Sequence, residues 1–206
     1  MTPSPPPLIL ASGSPRRAEI LRMLGIPFQI ETHPVPEEVI PGEEPAPHVE
    51  RLARAKAEQV SHRRPGALVL GGDTVVVSRG TILGKPRDPA HAVAMLMELS
   101  GRSHQVMSGL AILRDGGVVA SGVGVTTVFF RAFREPTARD YVATGEPLDK
   151  AGAYGIQGLG AALVDRIEGD HSNVVGLPIP LLVDLLERAG SPFRFPLPEG
   201  MGSEEP

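Results

Sequence analysis

The chain has 206 residues, enough for one domain with a full hydrophobic core, and a formal net charge of −4 without any long basic run. That balance argues against a nucleic-acid duplex as partner, because phosphate binding along a groove needs clustered Lys and Arg. The absence of cysteine excludes disulfides, thiolate metal sites and cysteine nucleophiles.

The Pro-rich opening lacks the charged n-region and long apolar h-region of a signal peptide, which gives cytoplasmic residence as the expectation. Flexible tails are expected at 1–7 and 196–206, with a single domain over 8–190 between them. An apolar strand, Leu8–Ala11, runs into Ser12-Gly13-Ser14-Pro15-Arg16-Arg17 and then a helix with Ile20, Leu21 and Leu24 on one face. Ser14 and Pro15 form an N-cap and first-turn pair, and Gly25 suits the helix end. A second helix is expected over 47–60, with Val49, Leu52, Ala53, Lys56 and Val60 at helical spacing. A β-branched strand over 68–77 turns through Ser78-Arg79-Gly80 into Thr81–Leu83 as a hairpin. Asp88-Pro89 opens a third helix through Leu99, and long strands over 105–114 and 118–130 meet at Asp115-Gly116-Gly117. The second of these is the longest apolar run, and glycines break it well short of the roughly 20 residues of a membrane helix. A helix over 137–144, a loop over 145–160, a strand over 162–167 and a helix over 178–189 complete the chain. Helices interleaved with strands and hairpins predict an α/β fold: a mixed, twisted sheet flanked by helices.

Several side chains stand out against this pattern. The small-residue loop with Ser12 and Ser14 feeds a helix N-terminus, whose free N–H groups favour an anion, and Arg16 and Arg17 beside it can clamp phosphate oxygens. The same residues also suit an ordinary capped helix with solvated arginines. Asp73 follows two glycines inside an apolar strand, where Asp is depleted. Either it ends the strand at a turn or it faces a polar cleft holding a cation or water, with Thr74 on the opposite side or at the rim. Lys56 on the apolar helical stripe either snorkels or lines that cleft, and Lys85 is a lone basic residue in a turn. Glu37 and Glu38 can supply a hard oxygen ligand for Mg²⁺ or simply face solvent. Over 149–158 a glycine-rich loop carries one ion pair, one Tyr and Gln157, whose amide can pair with the N3–H and a carbonyl of uracil or thymine, or bond to its own backbone. His104 and His171 have no metal-ligand spacing and no role is assigned to them.

Seven collinear motifs tie these residues together: LASGSPRRAEIL at 10–21, RLARAKA at 51–57, GGDTVV at 71–76, LGKPRD at 83–88, LSGRSHQV at 99–106, EPLDKAGAYGIQG at 146–158 and NVVGLP at 173–178. In this order they resemble the Maf family of nucleotide pyrophosphatases, also called septum-formation inhibitors, over about 8–186. The resemblance implies an ITPase-like α/β fold with a cleft between two lobes, a homodimer, and action with Mg²⁺ or Mn²⁺ on nucleoside triphosphates. It makes Asp73 the general base or metal-bound carboxylate that readies a water for the α-phosphorus. Arg16, Thr74 and Gln157 match substrate-selecting positions, and Lys56, Lys85 and Glu38 match polar residues around phosphates and metal. The DKAGAYGIQG loop resembles the branch acting on dTTP and UTP. Two departures stand out, Gly72 where Ala is usual and Ser108 where Thr is common. The family's historical name keeps a second class of function open, a non-catalytic nucleotide-binding regulator of cell division. A third is a phosphatase that releases orthophosphate.

Overall fold

A computed structural model describes residues 6–196. The tails expected at 1–7 and 196–206 lie outside the described residues, apart from Pro6, Pro7 and Pro196. The elements run β1 (Leu8–Ala11), α1 (Pro15–Met23), β2 (Phe28–Ile30), α2 (Pro45–Ser61), β3 (Leu68–Ser78), β4 (Thr81–Leu83), α3 (Pro89–Leu99), β5 (Ser103–Arg114) and β6 (Gly117–Phe130). Then come α4 (Glu135–Ala143), three short 3-10 turns, β7 (Val164–Glu168), α5 (His171–Val175) and α6 (Ile179–Arg188). Every expected helix and strand is present. Helices α2 and α4 begin two residues earlier than expected because each takes a proline into its first turn, where the missing N–H costs nothing. Asp88 caps α3 by accepting the His91 amide at 2.7 Å, whereas Ser14 makes no side-chain cap on α1. The loop over 145–160 is largely 3-10 turn, and β2 and α5 are additions to the sequence reading.

The sheet has the order β2-β1-β3-β5-β6-β7, parallel where β1 meets β2 and β3, antiparallel thereafter. It is the mixed sheet expected of this α/β pattern. β3 is the hub. Along one edge it pairs throughout with β5; along the other, 68–71 pair with β1 and 76–78 pair with β4, so 72–75 have no strand partner on that side. The strands part there because β1 stops at Ala11 and its chain turns away into the Ser12-Gly13-Ser14 loop.

Side-chain alternation along β3 and β5 explains the two lobes. On one face, Leu68, Leu70, Leu110 and Ile112 pack with α1 and α6 in one core, while Val76, Val106, Val128 and Phe130 pack with α3 and α4 in another. Between them, on the same face, the strands carry Gly72, Thr74 and Ser108, none of which extends either apolar core. The opposite face is covered by α2, whose Val49, Ala53, Ala57 and Val60 pack on Val69, Val75, Val77, Ala111 and Leu113. This helix lies unusually close to the sheet. A Cβ at Gly71 would run into the Ala53 carbonyl oxygen, and one at Gly109 into that of Val49.

Candidate active site

A cleft of about 990 Å³ opens where β1 and β4 part. Its floor is the middle of β3, with Asp73 presented on the α2 face and Thr74 on the other. One wall is the β1–α1 loop and the start of α1, whose first-turn amides have no intrahelical acceptor. The facing wall is formed by Gly84, Lys85 and the glycine-rich loop that includes Lys150, Tyr154 and Gln157.

The close approach of α2 decides the chemistry at the floor. Lys56 lies on the sheet-facing stripe, and its Nζ stands 2.7 Å from Asp73 Oδ1 and 2.6 Å from Glu37 Oε1. The ammonium is therefore directed into the cleft between two carboxylates and does not snorkel to solvent. Hydrogen bonding to Lys56 holds the Glu37 carboxyl below its usual range against the opposing effect of burial. Asp73 is 9 % exposed, so its strand position is a polar cleft and not a turn.

Arg17 is the other buried charge at the site, 8 % exposed. Its fork donates from Nε to the Gly176 carbonyl at 2.9 Å, from Nη1 to Ser12 Oγ at 2.8 Å and from Nη2 to Thr74 Oγ1 at 3.0 Å. Thr74 Oγ1 lies 2.9 Å from Ser108 Oγ, which donates to the Asn173 carbonyl at 3.0 Å. Asn173 in turn donates to the Val106 carbonyl and to Thr126 Oγ1. Desolvation lowers the Arg17 pKa and the nearby Asp73 charge opposes that effect. This network joins the β1–α1 loop, α1, β3, β5, β6 and α5 across the polar band between the two cores. Ser108, noted above as a departure, supplies the hydroxyl that the network uses.

The structure gathers Ser12, Ser14, Arg16, Arg17, Lys56, Asp73, Thr74, Lys85 and Gln157 around this one cleft. Arg16 is half-buried, while Lys85 and Gln157 are exposed, so all three present polar groups to an incoming ligand. Glu38 is different. It does not line the cleft, its backbone carbonyl accepts from Arg51 Nη2 at 3.1 Å, and its side chain is exposed. Of the two glutamates it is Glu37 that lines the cleft, its carboxylate meeting Lys56. The segment that carries it is tied down by Glu43, whose carboxylate meets Arg51 at 2.6 Å and His48 at 2.9 Å. Hydrogen bonding to Arg51 brings the Glu43 pKa down to about 2, burial opposing.

Sequence reasoning also missed Tyr141, which lies behind the Gln157 loop, and Glu146, which lines the cleft beside it; both bond to the loop backbone. Their signal was weak, since a Glu before Pro at a helix end is ordinary. His104, which received no role, is buried behind the cleft with Nε2 2.8 Å from the Tyr154 hydroxyl. The pair Asp149–Lys150 is present at 2.7 Å.

Among the described residues no three His, Asp or Glu side chains gather as a protein-only metal site. Asp73 and Glu37, both drawn to one ammonium, nevertheless bring two carboxylates to a single spot. Such a pair fits Mg²⁺ or Mn²⁺, since Mg²⁺ takes one or two carboxylates and completes its shell with water and phosphate oxygens.

A family model described as Maf-like protein matches residues 7–189. The chain belongs to the Maf family. Among its relatives, the dTTP/UTP pyrophosphatase of Symbiobacterium thermophilum is 53 % identical over 187 residues, spanning 90 % of this chain and 95 % of that protein. The protein of the same name from Geotalea uraniireducens is 50 % identical over 187 residues, with 89 % and 95 % covered. Among solved structures the likeness is more distant: a HAM1 protein from Coxiella burnetii aligns at 18 % identity over 61 % of this chain and 73 % of its own, with a TM-score of 0.41.

Proposed function

We infer that this Maf chain is a nucleoside-triphosphate pyrophosphatase that converts dTTP and UTP to the monophosphate and pyrophosphate. The observation that carries the reading is Lys56 bridging Asp73 and Glu37 on the floor of a cleft lined by Arg16 on one wall and by Lys85 and Gln157 on the facing wall. The names of the relatives at about half identity over nine-tenths of the chain support the same substrate class.

Each group has a task in this reaction. The α1 amides, Arg16 and Lys85 receive the triphosphate, a site where anionic oxygens meet fixed donors. Arg17 has three of its donors engaged by Gly176, Ser12 and Thr74, so it acts chiefly by holding the phosphate loop against β3 and adding fixed positive charge. Asp73 accepts the proton of the attacking water through a carboxylate whose orientation Lys56 fixes. Gln157 offers a donor and an acceptor side by side to the uracil or thymine edge. Asp73 and Glu37 would hold a Mg²⁺ or Mn²⁺ ion, which supplies Lewis-acid neutralisation of the charge on the phosphates. The homodimer implied by the family resemblance belongs to the same reading, and sedimentation of the purified protein decides it.

The test is a panel of nucleoside triphosphates incubated with the protein and Mg²⁺ or Mn²⁺, with monophosphate, pyrophosphate and orthophosphate quantified separately. Preferential release of pyrophosphate from dTTP and UTP is expected. Asp73→Asn should lower turnover by about 10²-fold or more while leaving the circular-dichroism spectrum and nucleotide binding in place. Stoichiometric binding without turnover would instead assign a regulator, and orthophosphate as the product would assign a phosphatase.

A further inference from the structure

We propose that Tyr141 and Glu146 form a positioning pair that sets base discrimination by holding the Gln157 loop from both flanks. The inference rests on the reading of Gln157 as the base-recognising side chain. The Tyr141 hydroxyl donates to Glu146 Oε1 at 2.8 Å and accepts from the Gly155 amide at 3.1 Å. Glu146 Oε2 accepts from the Leu159 amide at 2.9 Å, and its Oε1 from the Gly160 amide at 3.1 Å. Gln157 sits between these anchors, two residues from Gly155 and two from Leu159. The loop is drawn down so far that a side chain at Gly158 would run into the Glu146 carboxylate, and a Cβ at Gly160 would lie 2.5 Å from the Tyr141 hydroxyl. Lys150 closes the arrangement by donating to the Glu146 backbone oxygen and to Asp149.

The need for such a device follows from the amide itself. A Gln side chain that can flip or shift pairs with cytosine as readily as with uracil, so its selectivity depends on how firmly its backbone is held. Preorganising the backbone removes the ordering cost that the correct base would otherwise have to overcome. Tyr141 is 7 % exposed and does not line the cleft, so it reaches the base only through the loop. That makes it a positioning residue.

The experiment compares wild type, Tyr141→Phe, Glu146→Gln, Gln157→Ala and the Tyr141→Phe/Gln157→Ala double variant, measuring kcat and KM for UTP and CTP together with Tm. Tyr141→Phe should reduce the UTP-over-CTP ratio of kcat/KM by about five- to tenfold, chiefly through a raised KM for UTP, with pyrophosphate still the product. In the Gln157→Ala background the same change should alter the ratio by less than about twofold, because coupled residues do not add. Glu146→Gln, which keeps the shape and one carbonyl acceptor, should fall between wild type and Tyr141→Phe. If Gln157→Ala collapses the ratio while neither Tyr141→Phe nor Glu146→Gln moves it, the pair is structural only and the inference fails alone. If Gln157→Ala leaves the ratio unchanged, or wild type turns over UTP and CTP alike, base recognition by Gln157 fails and takes the inference with it.

Discussion

Lys56 answers to two carboxylates at once, and its ammonium occupies the position between them that a divalent cation would compete for. Removing it leaves the buried Asp73 carboxylate without its counter-charge and facing the exposed Glu37 carboxylate, which destabilises the fold chiefly through Asp73. Lys56→Met should therefore unfold at lower temperature than wild type in metal-free buffer, and Mn²⁺ without nucleotide should restore much of the difference by binding the folded state alone. Wild type should respond to Mn²⁺ far less, since the lysine already neutralises the pair. Equal Mn²⁺ shifts in the two proteins, read by differential scanning calorimetry, would show that the carboxylates do not form the cation site. The acid and the lysine were both legible in the sequence for one reason: a charge on an apolar stripe is costly unless it meets a partner. Glu37 was not separable from Glu38, because neighbours in an extended segment differ only in which way they point, and the ammonium of Lys56 settles that from another element.

Helix α2 can bring Lys56 to Asp73 only because β3 and β5 present glycine beneath it. Gly71→Ala would force the Ala53 carbonyl away and should destabilise the protein by about 3 kcal/mol, with a parallel loss of activity as Lys56 is lifted from Asp73. Gly72, where the family usually has Ala, is a contrasting case. A Cβ there would lie 3.1 Å from Arg17 Nε and 3.2 Å from Leu110 Cδ2, side-chain atoms that need shift only a few tenths of an ångström, where at Gly71 the obstacle is a backbone carbonyl and far closer. Gly72→Ala should change stability by no more than about 1 kcal/mol, the conformational gain over glycine offsetting the crowding. Chemical denaturation of the two variants side by side checks the pair, and a Gly72→Ala protein as unstable as Gly71→Ala would contradict the packing argument. Elements of this kind were readable where local chemistry defines them, as with the Asp88 cap of α3 or the turn at Asp115-Gly116. The three residues of β2 and the five of α5 were not, since each is fixed by partners: β2 by pairing with β1, and α5 by the bonds of Asn173 to Val106 and Thr126. The same holds for Tyr141 and Glu146, whose partners lie 13 and 14 residues further along the chain among glycines.

For the molecule as a whole, His104 sets a pH limit. Burial pushes its imidazole down to about 4, so it stays neutral in the folded protein. The unfolded chain takes up a proton near its ordinary value of 6.5, which means that stability falls as pH drops from about 6.5 toward about 4, by up to roughly 3 kcal/mol. Glu43 acts in a lower window: its contribution is present above about 4.5 and is lost as pH falls toward about 2. His104→Gln should thus be less stable at pH 7 yet show a flatter Tm profile between pH 6.5 and 4.5, and parallel profiles would refute the assignment. The two cores that meet across this molecule share β3, β5 and β6, and β3 has a bare stretch, 72–75, on the edge where β1 and β4 part. An unpaired strand edge on a protein's outside is an invitation to aggregate, and sequences usually blunt it with charge or proline. Here the edge is only four residues long and is recessed at the bottom of a cleft, flanked by β1 and β4. The fold thereby offers main-chain donors and acceptors to a small solute while withholding them from its own copies, so that recognition is kept and self-association through that edge is denied by its shortness and depth.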